Sequence, residues 1–174
     1  MTTFPNRGCL HLRTGRYSLP GQLYLLTTVT HQRHPWFLDA DIARLAARTM
    51  SSAAHWLPSR CLCWVLMPDH WHGLVELGEG AALATAMQRI KGAAAHSINQ
   101  RLKIKGPIWA SGFHDHALRR EESVEDVVRY MMANPVRAGL VHNVIDYPYW
   151  DCPLNDEAST QALGGKGDKS APPL

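Results

Sequence analysis

Apolar and polar residues recur along this chain with two distinct periods. Residues 22–30 (QLYLLTTVT) are apolar and β-branched, which predicts a strand. Residues 39–57 predict a helix: Asp39 suits an N-cap, Ile42, Leu45, Ala46, Met50, Ala53 and Leu57 fall on one stripe, and Pro58 ends it. Residues 60–67 (RCLCWVLM) form a continuous apolar run, as expected of a central strand. After a tight turn at Pro68-Asp69, residues 70–77 (HWHGLVEL) alternate and complete a hairpin. Residues 81–104 predict a long helix with Leu83, Met87, Ile90, Ala94, Ile98 and Leu102 on its buried face, broken by Gly106-Pro107. Residues 112–119 (GFHDHALR) predict another strand. Ser123 with Asp126 then caps a helix over 123–134, whose apolar face is Val124, Val127, Val128 and Met131. Pro135 should end it near Asn134, with one further turn stopping at Gly139.

Strand, helix, strand, strand, helix, strand, helix is the order of an α+β fold, a mainly antiparallel sheet with packed helices. Residues 1–20 are polar with Gly8, Gly15 and Pro20 and read as an irregular arm. The expected domain is 1–150, with 151–174 a flexible tail whose acidic start could fold back over a basic body.

Composition narrows the class. The 174 residues are 45% apolar and 19% charged, enough for an ordinary core. No apolar run reaches the ~20 residues of a membrane span, and residues 1–20 lack a secretory h-region. A soluble cytoplasmic protein without membrane partners is expected. Cys9, Cys61, Cys63 and Cys152 are too few and scattered for a disulfide scaffold. No phosphate-cradling glycine motif follows a strand, so nucleotide-driven chemistry has no support. The net charge of +3 conceals an asymmetry: residues 1–60 carry seven arginines against Asp39 and Asp41, whereas residues 151–174 carry two lysines against four acids. A basic body is compatible with nucleic acid and equally with a solvated surface.

Four groups of residues carry candidate chemistry. His70-Trp71-His72 lies on a predicted strand, where alternate residues share a face, so two imidazoles could converge on one metal ion. His114-Asp115-His116 has the same spacing, and chemistry alone leaves the two pairs open. A zinc site through Cys61 and Cys63 is a third option, although Cys-x-Cys lacks the usual looped spacing. Tyr130 lies on the last helix, with Asp126 four residues before it and Asn134 four after, a polar line opposite the valines. A lone helical tyrosine would ordinarily be a core or rim residue.

Two segments together, Met67-Pro68-Asp69-His70-Trp71-His72-Gly73-Leu74 and Tyr130 to Val141 (YMMANPVRAGLV), resemble the HUH single-tyrosine transposases, named for a His-hydrophobic-His motif. Gly15-Arg16-Tyr17-Ser18, Pro20-Gly21, Tyr24 to Thr27, Trp109, Phe113, Asp115-His116 and Arg119 sharpen this to a similarity with the REP-associated branch, where REP denotes repetitive extragenic palindromes. The likeness spans about residues 14–150.

The resemblance implies the ferredoxin-like, RRM-like HUH nuclease fold. It implies that Tyr130 is the nucleophile and that His70, His72 and Asn134 hold a divalent metal, Mg²⁺ or Mn²⁺. Gln is commoner than Asn at the third position. Asp69 stands where Asn is frequent, a departure expected to matter little. The implied activity is cleavage and rejoining of single-stranded DNA at REP hairpins through a 5′-phosphotyrosine intermediate, in a nucleoid-associated protein. The implied partners are single-stranded DNA and hairpins with a flanking tetranucleotide. Arg16 and Tyr17 are expected to read that tetranucleotide, and Lys91, Arg119, Arg120 and Arg137 to contact DNA. A monomer is expected, with a homodimer as the variant. The competing readings are a non-catalytic structured-DNA-binding module and a small metallohydrolase using His70, His72 and His114 or His116.

Overall fold

The structure is a computed structural model and describes residues 19–153. Strand β1 (Leu23–Val29) alternates strictly, burying Tyr24, Leu26 and Thr28 on one face. β2 (Arg60–Met67) and β3 (His70–Glu76) form the expected hairpin, and β4 (His114–Ala117) is shorter than the predicted run. A two-residue strand, β5 (Trp150–Asp151), was not foreseen. All pairings are antiparallel, in the order β4-β1-β3-β2-β5. The sheet is mainly antiparallel with helices packed on it, as expected of the α+β class.

Helices cover both faces. α1 (Ala40–Ser51) starts where the Asp39 carboxylate accepts from the amides of Asp41 and Ile42. The predicted helix over 39–57 is in fact two, because Ser52 is extended (ψ 116°) before α2 (Ala53–Trp56). The stripe therefore fails at its end: Ala53 and Leu57 are exposed, and Trp56 is buried instead. α3 (Leu83–Leu102) passes through Gly92 unbroken and buries Leu83, Met87, Ile90, Ala94 and Ile98 as the periodicity requires. These three helices enclose the larger core, where Trp71 from β3 stacks on Trp56 with centroids 5.8 Å apart.

The opposite face of the sheet is covered by α4 (Val124–Met132) and the single turn α5 (Asn134–Arg137). Val124, Val127, Val128, Met131 and Met132 pack there on Val65, Met67 and Leu74. The expected break comes at Ala133, with Pro135 accepted inside α5 and Gly139 closing it at φ 69°.

Two features depart from the expectations at the β2 edge. A bulge between Cys61 and Cys63 shifts the register with β3. Downstream, Cys63 is disulfide-bonded to Cys152, so Asp151 and Cys152 belong to the sheet edge rather than to a tail beginning at 151. The remaining tail residues and the arm with Arg16 and Tyr17 lie outside the described residues. Among the described residues, no helix is long and apolar enough to cross a membrane.

Candidate active site between the histidine strand and the tyrosine helix

The period of two on β3 separates structure from chemistry. Trp71, Gly73 and Val75 turn to the tryptophan core, and His70 and His72 turn to the face beneath α4. In register, Val29, His70 and Met67 lie side by side, as do Thr27, His72 and Val65. The two imidazoles meet edge to face with centroids 4.8 Å apart.

Each ring is held through one nitrogen. Asp69 Oδ1 accepts from His70 Nδ1 at 2.5 Å, and Thr27 Oγ1 is 2.7 Å from His72 Nδ1. Asp69 in turn accepts from Arg33 at 3.2 Å. Burial alone would raise the Asp69 pKa, but hydrogen bonds from His70 and Arg33 hold it below the ordinary value. For His72, burial comes first, then the charges of His70, Arg137 and Arg33; together they push its pKa down to about 3, so the ring is neutral at pH 7. A neutral imidazole whose Nδ1–H donates to the Thr27 hydroxyl oxygen presents the Nε2 lone pair to a ligand.

α4 and α5 bring the second half of the site. The valines seat α4 on β2 and β3, leaving Tyr130 half-buried near its C-terminal end. The Arg137 guanidinium lies 3.9 Å from the Tyr130 ring centroid and donates to Asn134 Oδ1 at 2.8 Å. Asn134 Nδ2 donates to the Met131 carbonyl at 2.8 Å. Arg137 is thus shared: it covers Tyr130, grips Asn134 and is close enough to bias His72. Tyr130, Asn134 and Arg137 form one cluster, linked to the histidine pair through the charge of Arg137 on His72. Asp126 is not part of it, because its carboxylate is solvent-facing and paired with Arg129.

The other candidates separate by placement. His114 and His116 share the histidine face, opposite Thr27 and Leu25, but on edge strand β4. His116 Nε2 is committed to Glu122 at 2.8 Å, whose other oxygen accepts from the Arg119 amide. The cysteine option fails: the bulge turns Cys61 to the tryptophan core while Cys63 faces α4 in its disulfide. No group of three or more His, Cys, Asp or Glu residues that could hold a metal occurs among the described residues. Lys91 is anchored on α3, donating to the carbonyls of Ala110 at 2.8 Å and Gly112 at 2.5 Å. It therefore ties the approach to β4 instead of standing free for phosphate. Arg119 and Arg120 are exposed beside the start of α4.

Sequence reasoning missed Thr27 as a partner of His72, and it dismissed Asp69, whose carboxylate bonds His70 directly. The signal for Thr27 was its position in a neighbouring strand, legible only once the register is known.

Comparison with known proteins identifies the family and the fold. Residues 20–134 match the family described as Transposase IS200 like. An Escherichia coli K12 protein named REP-associated tyrosine transposase is 26% identical over 135 residues, covering 77% of this chain and 78% of that protein. A Haemophilus influenzae relative is 28% identical over 140 residues, covering 74% and 78%. A solved structure of a REP-associated tyrosine transposase bound to a REP hairpin shares the fold, with TM-score 0.65, 22% identity and coverage of 98% of this chain and 94% of that one. With the family match running from the start of β1 through the tyrosine to Asn134, the chain belongs to the IS200-like transposase family.

Proposed function

We propose that this transposase-family chain cleaves and rejoins single-stranded DNA beside REP hairpins, with Tyr130 as the nucleophile. The observation that carries the reading is the placement of Tyr130 on the helix that covers the His70–His72 face, its ring capped by Arg137. The substrate class is supported by the hairpin bound to the similar solved structure.

In the first step the Tyr130 phenolic oxygen attacks the scissile phosphorus, and the bond from phosphorus to the 3′ oxygen breaks. The proton lost by the phenol is matched by the one gained at the 3′ oxygen. A 5′-phosphotyrosine and a free 3′-hydroxyl result; attack by another 3′-hydroxyl reverses the step. One phosphodiester is exchanged for another, so no nucleotide hydrolysis is required. Arg137 sits where it can pair with a nonbridging phosphate oxygen, and its planar fork suits that contact.

The donor set fits a divalent cation. Both histidines have Nδ1 engaged, His72 is neutral, and the Asn134 carbonyl oxygen has a second lone pair beside the one Arg137 uses. His70, His72 and Asn134 would hold Mg²⁺ or Mn²⁺; two imidazoles favour Mn²⁺. When bound, such a cation supplies Lewis-acid polarisation of the phosphate. Arg16 and Tyr17 would read the unpaired tetranucleotide beside the stem, and Arg119 and Arg120 would contact phosphates of a single monomer's DNA.

The test is incubation of the full chain with a labelled REP hairpin carrying a single-stranded flank and Mn²⁺, read on a denaturing gel. Wild-type protein should give a covalent protein–DNA band. Tyr130→Phe should lose the band and keep the gel shift; a band persisting in that variant would refute the assignment.

A further inference from the structure

Asp69 and Thr27 have no place in the chemistry described so far, yet each touches one histidine at short range. Asp69 is itself fixed from three directions. Its backbone carbonyl accepts from the Thr30 amide at 2.8 Å and from Thr30 Oγ1 at 3.0 Å, and its second carboxylate oxygen accepts from Arg33. Arg33 reaches back to it from a left-handed backbone conformation (φ 56°). Through Thr27, Thr30 and Arg33, β1 and the turn after it brace the start of the histidine strand.

The hydrogen-bonding chemistry then discriminates. A carboxylate has no hydrogen to donate, so the 2.5 Å bond requires a proton on His70 Nδ1, and in the neutral ring this leaves the lone pair on Nε2. An asparagine at 69 could accept or donate, and would not choose between the two tautomers. Thr27 Oγ1 lies on the neighbouring strand, directly opposite His72 in register, and holds that ring at 2.7 Å.

We propose that Asp69 and Thr27 are positioning residues: Asp69 fixes the tautomer of His70, Thr27 fixes the ring of His72, and together they present the two Nε2 atoms to a divalent cation. The proposal rests on the reading of His70 and His72 as metal ligands. It makes this chain's carboxylate at 69 a determinant of metal affinity and not an interchangeable turn residue. Loss of a partner that orients a ligating histidine typically weakens metal binding by about 10–100-fold.

Two measurements test it on the full chain. Mn²⁺ titration followed by electron paramagnetic resonance should show affinity at least about tenfold weaker in Asp69→Asn and in Thr27→Val, with Thr27→Ser near wild type. In metal-free protein, ¹⁵N-edited spectra of the histidine side chains should show His70 as a single Nδ1–H tautomer, and a mixture in Asp69→Asn. Unchanged Mn²⁺ affinity in both Asp69→Asn and Thr27→Val, with wild-type binding intact, overturns the proposal alone. So does a wild-type spectrum with the proton on His70 Nε2. A wild-type chain that binds no Mn²⁺ overturns the metal reading beneath it.

Discussion

Acid should destabilise this protein through His72 more than through an ordinary surface histidine. The folded-state pKa is depressed to about 3, whereas the unfolded value is close to 6.5. Between those two values the unfolded chain binds a proton that the folded chain refuses, so stability falls as pH falls. Above pH 6.5 the contribution is fully present; below pH 3 it is gone. At pH 4.5 the loss is two pH units' worth, about 2.7 kcal/mol at 1.36 kcal/mol per unit. The structural cause is the position of His72 in the middle strand, under α4 and near the cationic side chains of Arg137 and Arg33. The assay is urea unfolding of chelator-treated protein at pH 7 and pH 4.5, wild type against His72→Gln. Other groups, Asp69 among them, titrate in both proteins, so the difference between the two pH dependences isolates His72. Wild type should lose about 2–3 kcal/mol more than His72→Gln on going to pH 4.5. Parallel losses would refute the argument that burial and neighbouring cations keep this ring neutral.

Two further outcomes follow from the geometry. A Cβ on Gly73 would stand 2.0 Å from the Trp71 ring, which is fully buried against Trp56 and cannot retreat. Gly73→Ala should therefore cost about 3 kcal/mol, visible as a thermal midpoint lowered by roughly 10 °C, and an unchanged midpoint would contradict the packing. Arg137→Ala removes the group that covers Tyr130 and grips Asn134. Adduct formation should drop by at least about tenfold and the salt dependence of DNA binding should ease by about one unit of slope. Arg137→Lys should not restore the rate, because an ammonium cannot make both contacts as a planar fork does; full rescue by lysine would reduce the role of Arg137 to charge alone.

How much of this could be read from the residues depended on the range of the interaction. Periodicity placed the main elements, and the face of His70 and His72 followed from the period of two with Trp71 as the buried counterweight. The tyrosine helix and its break were legible from Ser123, the valines and Pro135. Ser52 was not, because nothing in a serine announces an extended conformation within an otherwise helical stripe. β5 was too short to produce a pattern. Spacing alone left the two histidine pairs open and the family resemblance pointed to His70 and His72; the placement of α4 over β2 and β3, with β4 at the edge, belongs to the tertiary packing and was not legible in the residues. Asp69 was visible as a residue and undervalued as a partner, because its contact with His70 depends on how the turn is held by β1.

The bulge between Cys61 and Cys63 also bears on how this strand tolerates change in length. On either side of it the residues of β2 count in opposite phase: Cys61 pairs with Val75, while Cys63 pairs with its neighbour Leu74. A residue gained or lost toward Ser59 can be taken up at that slip, without shifting Val65 and Met67 against His72 and His70. The outer end of the hairpin is thereby decoupled from the histidine end, and the chain can drift at one while the other keeps its alignment.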